Sequence, residues 1–477
     1  MQNAMYPDIL WKRTRQALLA HPESKIWEGD SCMTFRETAC WVEEGAEALR
    51  GKIPAPCKCA VLCRSERSAA LSLLLCFAMG VTALPLSARY GPAHSEKILR
   101  KTEPDLILTD ADTGLPLPEI RIDRMDEARP VEPAPEDGYG EAAAILCSSG
   151  TSGEPKCAMV TPQGLLANLE GICGYFAEPE SSTVWISRPV YHCAVFTGEW
   201  LTALFKGMNV RFRGEGFQPL QLAGELERTE ERVAMGGTPT LFYGLCRAFR
   251  ARGKAVPLGA AMISGECMAE PAAALIAEQM AGTHVYHVYG MTEASPRISS
   301  LPWQEFRLAP QAVGYPLKGV EIELRGEEGE AIPEEGRQGL IHVRGPNLMK
   351  GYYRDQEKTR EVLQNGWLCT GDMGYLDAAG RLYVTGRRDD MIIRSGMNIY
   401  PAEIEGALLS DSRIREAAAF GEKRPEGTRI CVRIRGEITR QEVFELCRAR
   451  LPGYAWPDRI EILETLPKNA SGKLLRR

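Results

Sequence analysis

Between residues 148 and 156 the chain reads Ser148-Ser149-Gly150-Thr151-Ser152-Gly153-Glu154-Pro155-Lys156. Side chains this small leave backbone N–H groups and hydroxyls free to surround phosphate oxygens, and Lys156 adds a positive charge. The composition suits a polyphosphate; a flexible Ser/Gly turn is the plain alternative. A Walker A loop counted from Gly150 requires glycine at 155 and Ser or Thr at 157, where this chain has Pro155 and Cys157. Further along, Tyr289 offers a ring that can stack on a base, with a core aromatic as its ordinary reading. Thr292 can donate to a phosphate oxygen, and Glu293 is a hard oxygen ligand suited to Mg²⁺, which prefers a carboxylate together with phosphates and water.

The elements that must hold these residues follow from pattern. Ala142 to Cys147 is a short apolar run that opens directly into the Ser/Gly loop, and Thr161 and Pro162 form an N-cap and first helical turn. Leu165, Leu166, Leu169, Ile172 and Cys173 continue as a helical stripe, so the loop is expected between a strand and a helix. The Pro-rich acidic stretch Arg129 to Gly138 reads as a surface connector. Short strands are expected at Glu321 to Leu324, Leu340 to Val343 and Leu382 to Thr385, making a β-rich subdomain. Near the end, Ile430, Val432 and Ile434 alternate as in a half-buried strand, and Thr439 with Glu442 forms a capping box before a helix. A small α+β terminal domain follows.

With 477 residues the chain is too long for one core, and its 44% apolar and 25% charged residues are those of an ordinary globular protein. A formal charge of -6 carries no basic bias, so a small-molecule partner is expected and nucleic acid is not. The N-terminus lacks a basic region followed by an apolar stretch, which points to a cytoplasmic protein. The uncharged run Ser68 to Ala88 is long enough for a membrane span, but Gly80 and Pro85 punctuate it. It reads as a buried helix ending near Gly80 followed by a buried strand Val81 to Leu84, with no membrane span. Among fifteen cysteines, Cys57, Cys59 and Cys63 match no common zinc spacing, and reduced thiols are expected.

The loop, then Tyr289-Gly290-Met291-Thr292-Glu293, Thr370-Gly371-Asp372, Gly386-Arg387-Arg388-Asp389-Asp390, Pro401-Ala402-Glu403-Ile404-Glu405 and Pro467-Lys468-Asn469-Ala470-Ser471-Gly472-Lys473 occur in one order along the chain. In this the chain resembles the adenylate-forming superfamily of acyl-CoA synthetases, aryl-CoA ligases, luciferases and nonribosomal-peptide adenylation domains. The family loop has the form TSGTTGxPKG, and this copy departs at Ser148, Ser152 and Cys157. The resemblance implies an α/β, multi-domain α+β fold. A large N-terminal domain, residues 1–388, has two βα subdomains and a β-barrel-like subdomain, and a small mobile α+β domain spans 389–477.

It also implies roles. Ser148, Ser149, Gly150, Thr151, Ser152, Gly153 and Lys156 would hold phosphates, with Ser264-Gly265-Glu266 and Tyr289, Gly290 and Met291 on the adenine side. Asp372 would accept from ribose hydroxyls and Arg387 would reach the ribose or phosphate region. Lys473 would bridge the carboxylate and the α-phosphate where negative charge builds. Asp389 would be the hinge that lets the small domain leave, and Gly396 would then line a pantetheine channel. His192 falls beside the acyl pocket in acyl- and aryl-CoA ligases, with a satisfied core histidine as the alternative. The glycines of Met235-Gly236-Gly237-Thr238-Pro239 would let a bulky acid approach the backbone. The segment Tyr191 to Thr197 lacks the Phe-Asp-x-Ser pattern of amino-acid-activating relatives.

The implied reaction uses ATP and Mg²⁺ to convert a carboxylic acid to its acyl-adenylate with release of pyrophosphate. Acyl transfer to coenzyme A follows, giving a thioester and AMP. Three alternatives stay open at this point: loading of a carrier-protein phosphopantetheine, a non-catalytic nucleotide-binding homologue, and an oxygenase of luciferase type.

Overall fold

A computed structural model describes residues 6–88, 92–149, 155–213, 219–326, 328–394, 397–424, 427–468 and 474–475. Two large sheets dominate. The nine-stranded one runs, edge to edge, Tyr315–Pro316, Arg297–Ser300, His284–Gly290, Ala260–Ile263, Val233–Gly237, Thr183–Ile186, Asn209–Phe212, Lys25–Glu28 and Ser31–Thr34. Its six strands from His284–Gly290 to Lys25–Glu28 are mutually parallel. All their C-terminal ends therefore open on one side, the side on which open α/β sheets bind ligands.

The seven-stranded sheet runs Gly351–Tyr352, Pro155–Val160, Ala144–Ser149, Thr82–Pro85, Lys58–Val61, Leu106–Thr109 and Glu119–Arg121. The helix Glu66–Met79 shares a core with residues of both sheets and is buried on nearly every side from Ala69 to Phe77. A helix apolar all round has to be buried in this way. Ser65 caps its start by accepting from Ser68 N–H at 3.0 Å, and Gly80 ends it in the left-handed region at φ 68°. The strand Thr82–Pro85 follows at once, so the uncharged run is a core helix and strand. Among the described residues no helix is long and apolar enough to cross a membrane.

The expected β-rich part is a five-stranded antiparallel sheet containing Glu321–Arg325, Gly339–Arg344, Trp367–Leu376 and Leu382–Arg387. From Ile392 onward the chain closes a separate apolar core of Ile404, Leu408, Ala419, Ile430, Val432, Ile434, Val443 and Cys447. The strands Ile414–Arg424, Gly427–Gly436 and Arg459–Ile462 pack there with the helices Pro401–Leu409 and Arg440–Arg450. The Thr439/Glu442 capping box is present as expected. Arg247, on the helix Pro239–Arg250 of the large body, donates to the carbonyls of Ser412 at 2.7 Å and Ile414 at 3.2 Å, joining the two parts.

Two expectations need correction. The loop does not lie between a strand and a helix: the strands Ala144–Ser149 and Pro155–Val160 pair antiparallel from Ala144/Val160 to Ser149/Pro155, so it closes a hairpin. The helix Pro162–Tyr175 starts only after the second strand, capped by Thr161. Pro155–Val160 forms a strand because its residues find partners on the neighbouring strand Ala144–Ser149, which local pattern does not report. The cysteines are not all thiols, since Cys147 and Cys157 face each other in that hairpin as a disulfide. Cys57, Cys59 and Cys63 are buried free thiols.

Removing the Thr161 hydroxyl, which accepts from Gly164 N–H at 3.1 Å, leaves a helix N-terminus short of an acceptor. Thr161→Ala should cost about 1 kcal/mol, read as a lower urea midpoint at unchanged slope.

Candidate active site

A cleft of about 810 Å³ separates the large body from the small domain, lined among others by Gly265, Glu266, Tyr289, Asp372, Arg387 and Leu474. The strand His284–Gly290 meets there the later hairpin of Trp367–Leu376 and Leu382–Arg387. Tyr289 lies near the C-terminal end of the strand His284–Gly290, and its hydroxyl donates to Asp372 Oδ2 at 2.6 Å. Arg387, the last residue of Leu382–Arg387, donates to Asp372 Oδ1 at 3.2 Å and to the Thr370 carbonyl at 3.1 Å. Asp372 is presented not by a tight turn but by a bulge inside the strand Trp367–Leu376, which needs glycine: Gly371 has φ +75°, and a Cβ there would lie 2.9 Å from Arg387 Nη2. A carboxylate has about four acceptor positions, so Asp372 keeps capacity for further donors such as ribose hydroxyls. Burial, then the Asp372 carboxylate, pushes the Tyr289 hydroxyl well up, and it stays protonated as the donor.

On the same strand-end side, Thr292 and Glu293 sit in the short helical turn Thr292–Ala294. Asn168 and Asn347 brace that turn from below, each donating through Nδ2 to the carbonyls of Ala294 and Arg297 at 2.8–3.2 Å. Glu293 is buried, and its Oε1 accepts from the Tyr352 hydroxyl at 2.6 Å. This is a single oriented carboxylate beside a hydroxyl. Such a donor set fits Mg²⁺ shared with substrate phosphates, which takes one or two protein carboxylates and keeps waters. Among the described residues no group of three or more His, Cys, Asp or Glu could hold a metal by itself.

Ser264 N–H donates to the Gly237 carbonyl at 2.9 Å, Gly265 has φ +93°, and Glu266 accepts from Thr240 Oγ1 at 2.7 Å, which places this loop at the next strand end. The other Glu266 oxygen accepts from Leu474 N–H at 3.4 Å. The C-terminal segment therefore reaches the cleft, folded back by a bridge between Lys468 and Leu474. Gly290 and Met291 line the same cleft. Ser148 pairs with Lys156 and Ser149 with Pro155 at the hairpin's mouth. Gly150, Thr151, Ser152, Gly153, Gly396 and Lys473 lie outside the described residues. Asp389 is exposed in the turn Arg388–Asp390, between the two parts of the chain.

His192 follows the strand Thr183–Ile186, and its neighbour Cys193 contacts Thr292 Oγ1 through Sγ at 3.3 Å. Burial, with the Arg188 charge adding, pushes the His192 imidazole down to about 3, so it is neutral at any ordinary pH. The space expected in front of Gly236 and Gly237 is already filled. A Cβ on Gly236 would meet Glu199 and Arg188, and one on Gly237 would meet Leu241 at 2.3 Å. Both are glycine because protein side chains approach the backbone there. Sequence reasoning also missed Tyr352, Asn168 and Asn347; Asn168 carried a signal, being an amide among the buried positions of Pro162–Tyr175.

Two family models match the chain: "AMP-binding enzyme" over residues 14–353 and "AMP-binding enzyme C-terminal domain" over residues 403–473. A feruloyl-CoA synthase from Amycolatopsis sp is 28% identical over 482 residues, covering 97% of this chain and 96% of that protein. A 2-succinylbenzoate–CoA ligase from Bacillus cereus is 43% identical over 199 residues, 41% of each chain. The o-succinylbenzoate CoA synthetase of Bacillus subtilis, in complex with its acyl-adenylate intermediate, superposes with a TM-score of 0.83 at 27% identity, covering 97% of this chain and 96% of that one. The same synthetase in complex with ATP and magnesium superposes with a TM-score of 0.82.

Two measurements check this geometry. Maleimide labelling of the unfolded, unreduced chain should leave only Cys147 and Cys157 unmodified, and prior reduction should expose both. His192 and His287 are pushed from an ordinary 6.5 down to about 3 and about 4, burial being the larger cause for each. Between those values and 6.5 the unfolded chain binds protons that the folded chain refuses. Their contribution is complete above about pH 6.5 and is lost as pH falls. Urea midpoints should therefore fall from about pH 7 to 4.5, and His192→Gln should flatten the decline.

Proposed function

Because this chain belongs to the family of AMP-binding enzymes, we propose that it is an AMP-forming acid–CoA ligase acting in the cytoplasm on an aromatic carboxylic acid. The arrival of Leu474 at Glu266, on the rim that also holds Tyr289, Asp372 and Arg387, carries this reading. It sets the residue after Lys473 beside the nucleotide-type cleft. The names of the relatives support an aromatic acid.

In the first half-reaction a carboxylate oxygen attacks the α-phosphorus of ATP, the bond to the β,γ-phosphates breaks, and pyrophosphate leaves. Asp372 accepts from the ribose hydroxyls while Arg387 keeps its carboxylate aimed. The loop from Ser148 to Lys156 surrounds the departing phosphates, Thr292 donates to a phosphate oxygen, and Lys473 bridges the two negative groups as they approach. Glu293 would hold Mg²⁺, which supplies neutralisation of phosphate charge when bound. His192, uncharged, lines the acid side without competing for a proton.

In the second half-reaction the thiol sulfur of coenzyme A bonds to the acyl carbon, AMP leaves, and the thiol proton passes to solvent or a phosphate oxygen. The thiol needs the space Lys473 held. The domain boundary is therefore placed at Asp389, giving units 1–388 and 389–477, with rotation there bringing Gly396 to the thiol channel. The exposed turn at Asp389 and the separate core beginning at Ile392 support that boundary.

Pyrophosphate release from ATP and Mg²⁺ should depend on an added aromatic acid and should fall by at least about 100-fold in Lys473→Ala, as expected when a group aimed at transition-state charge is lost. Acyl-CoA should appear only with coenzyme A. No release with any acid from a panel of fatty, aryl and amino acids, despite bound ATP, would sink the reading.

A further inference from the structure

Gly236, next to last in the strand Val233–Gly237, lies beneath a buried ion pair. A Cβ there would lie 2.4 Å from Glu199 Oε1 and 2.9 Å from Arg188 Nη2, so the pair occupies the space that glycine vacates. Arg188 Nη2 donates to Glu199 Oε1 at 2.5 Å, with the two side chains 11% and 1% exposed. Each keeps a buried polar atom with no partner among the described residues: the Arg188 Nε–H, a donor, and Glu199 Oε2, an acceptor. His192 Nε2 is in the same condition. Buried polar atoms are normally paired, and an unpaired set of this kind calls for an explanation such as a ligand.

The position of the pair suggests which ligand. Glu199 lies in the wide π-helical turn Phe196–Leu201, a distortion that recurs at functional sites. At one end of this segment Cys193 touches Thr292; along it, Gly198 packs so close to Arg297 that a Cβ would lie 2.8 Å from Nη2. The segment is thus held against the turn where the acid must meet phosphate. An acid laid over Gly236 would meet the ion pair instead of bare backbone.

Resting on the acid-activating reading above, we propose that Arg188 and Glu199 are specificity-determining residues that select a carboxylic acid bearing a second, uncharged hydroxyl or phenol group. The hydroxyl oxygen accepts from Arg188 Nε–H and its proton goes to Glu199 Oε2, which satisfies both orphaned atoms at once. A second carboxylate has no proton to give and repels Glu199; an ammonium repels Arg188; a hydrocarbon leaves both atoms unpaired. His192 stays neutral here and adds no charge to favour an anionic group.

The test compares acid-dependent pyrophosphate release by the wild-type enzyme within matched sets. One set is phenylpropanoate with its para-hydroxy, para-carboxy and para-aminomethyl derivatives; the other is hexanoate, omega-hydroxyhexanoate and adipate. In at least one set the hydroxy acid should exceed its parent and its charged analogues by at least about 30-fold in kcat/KM, since sites built to bond a hydroxyl reject analogues lacking it. The double variant Arg188→Met/Glu199→Leu, which replaces a buried pair by apolar groups of similar size, should narrow that preference to within about 3-fold. Equal use of parent and hydroxy acids by the wild type, or a preference that survives in the folded double variant, would overturn the proposal. The wild-type comparison decides alone if the double variant does not fold. No release with any acid would remove the ligase reading, and this inference with it.

Discussion

Asp372 accepts at once from Tyr289, on the nine-stranded sheet, and from Arg387, on the five-stranded one. That shared carboxylate ties two separately built sheets to one point of the cleft. Hydrogen bonds to an ionised group are short and strong, and these are nearly shielded from water, the Asp372 side chain being 11% exposed. Both donors stay protonated, Arg387 because its charge is kept despite burial by the carboxylate beside it, and Tyr289 because burial and Asp372 raise it. The carboxylate is thus oriented by two donors before any ligand arrives, and the cleft's remaining groups take their positions relative to it.

A second constraint acts through parallel pairing. Arg188 and His192, the Ser264–Glu266 loop and the Thr292–Glu293 turn all follow strands that run the same way, and Gly236 lies near the end of another such strand. Residues far apart along the chain are collected at one rim because every such strand ends there. Asn168 and Asn347 each donate to the carbonyl of Ala294, which ends the turn that carries Glu293, and to that of Arg297, which opens the next strand. Buried amide donors bonded in this way rigidify the groups they touch, which is what a site that must align a carboxylate with a phosphate requires.

Local chemistry was readable where short-range physics governs. The caps at Thr161 and Thr439, the termination at Gly80, the buried run from Ala69 and the apolar alternation from Ile430 all formed as their residues dictate. The hairpin after Ser149 did not, because pairing of Pro155–Val160 depends on a partner strand rather than on its own pattern. The glycines at 236 and 237 were read as openings for a substrate, and they are instead places where Glu199, Arg188 and Leu241 approach the backbone.

By itself the sequence determined the family, through ordered motifs whose residues have few substitutes: a glycine for the positive φ at 371, a carboxylate at 372, an always-charged guanidinium at 387. Tertiary structure decided who these residues face. That Tyr289 spends its hydroxyl on Asp372, that Tyr352 holds Glu293, that Cys147 meets Cys157, and that Arg188 and Glu199 pair over Gly236 are facts of packing between distant segments. A side chain's type sets which bonds it can make, but its partner is chosen by the strand order and burial that bring the segments together.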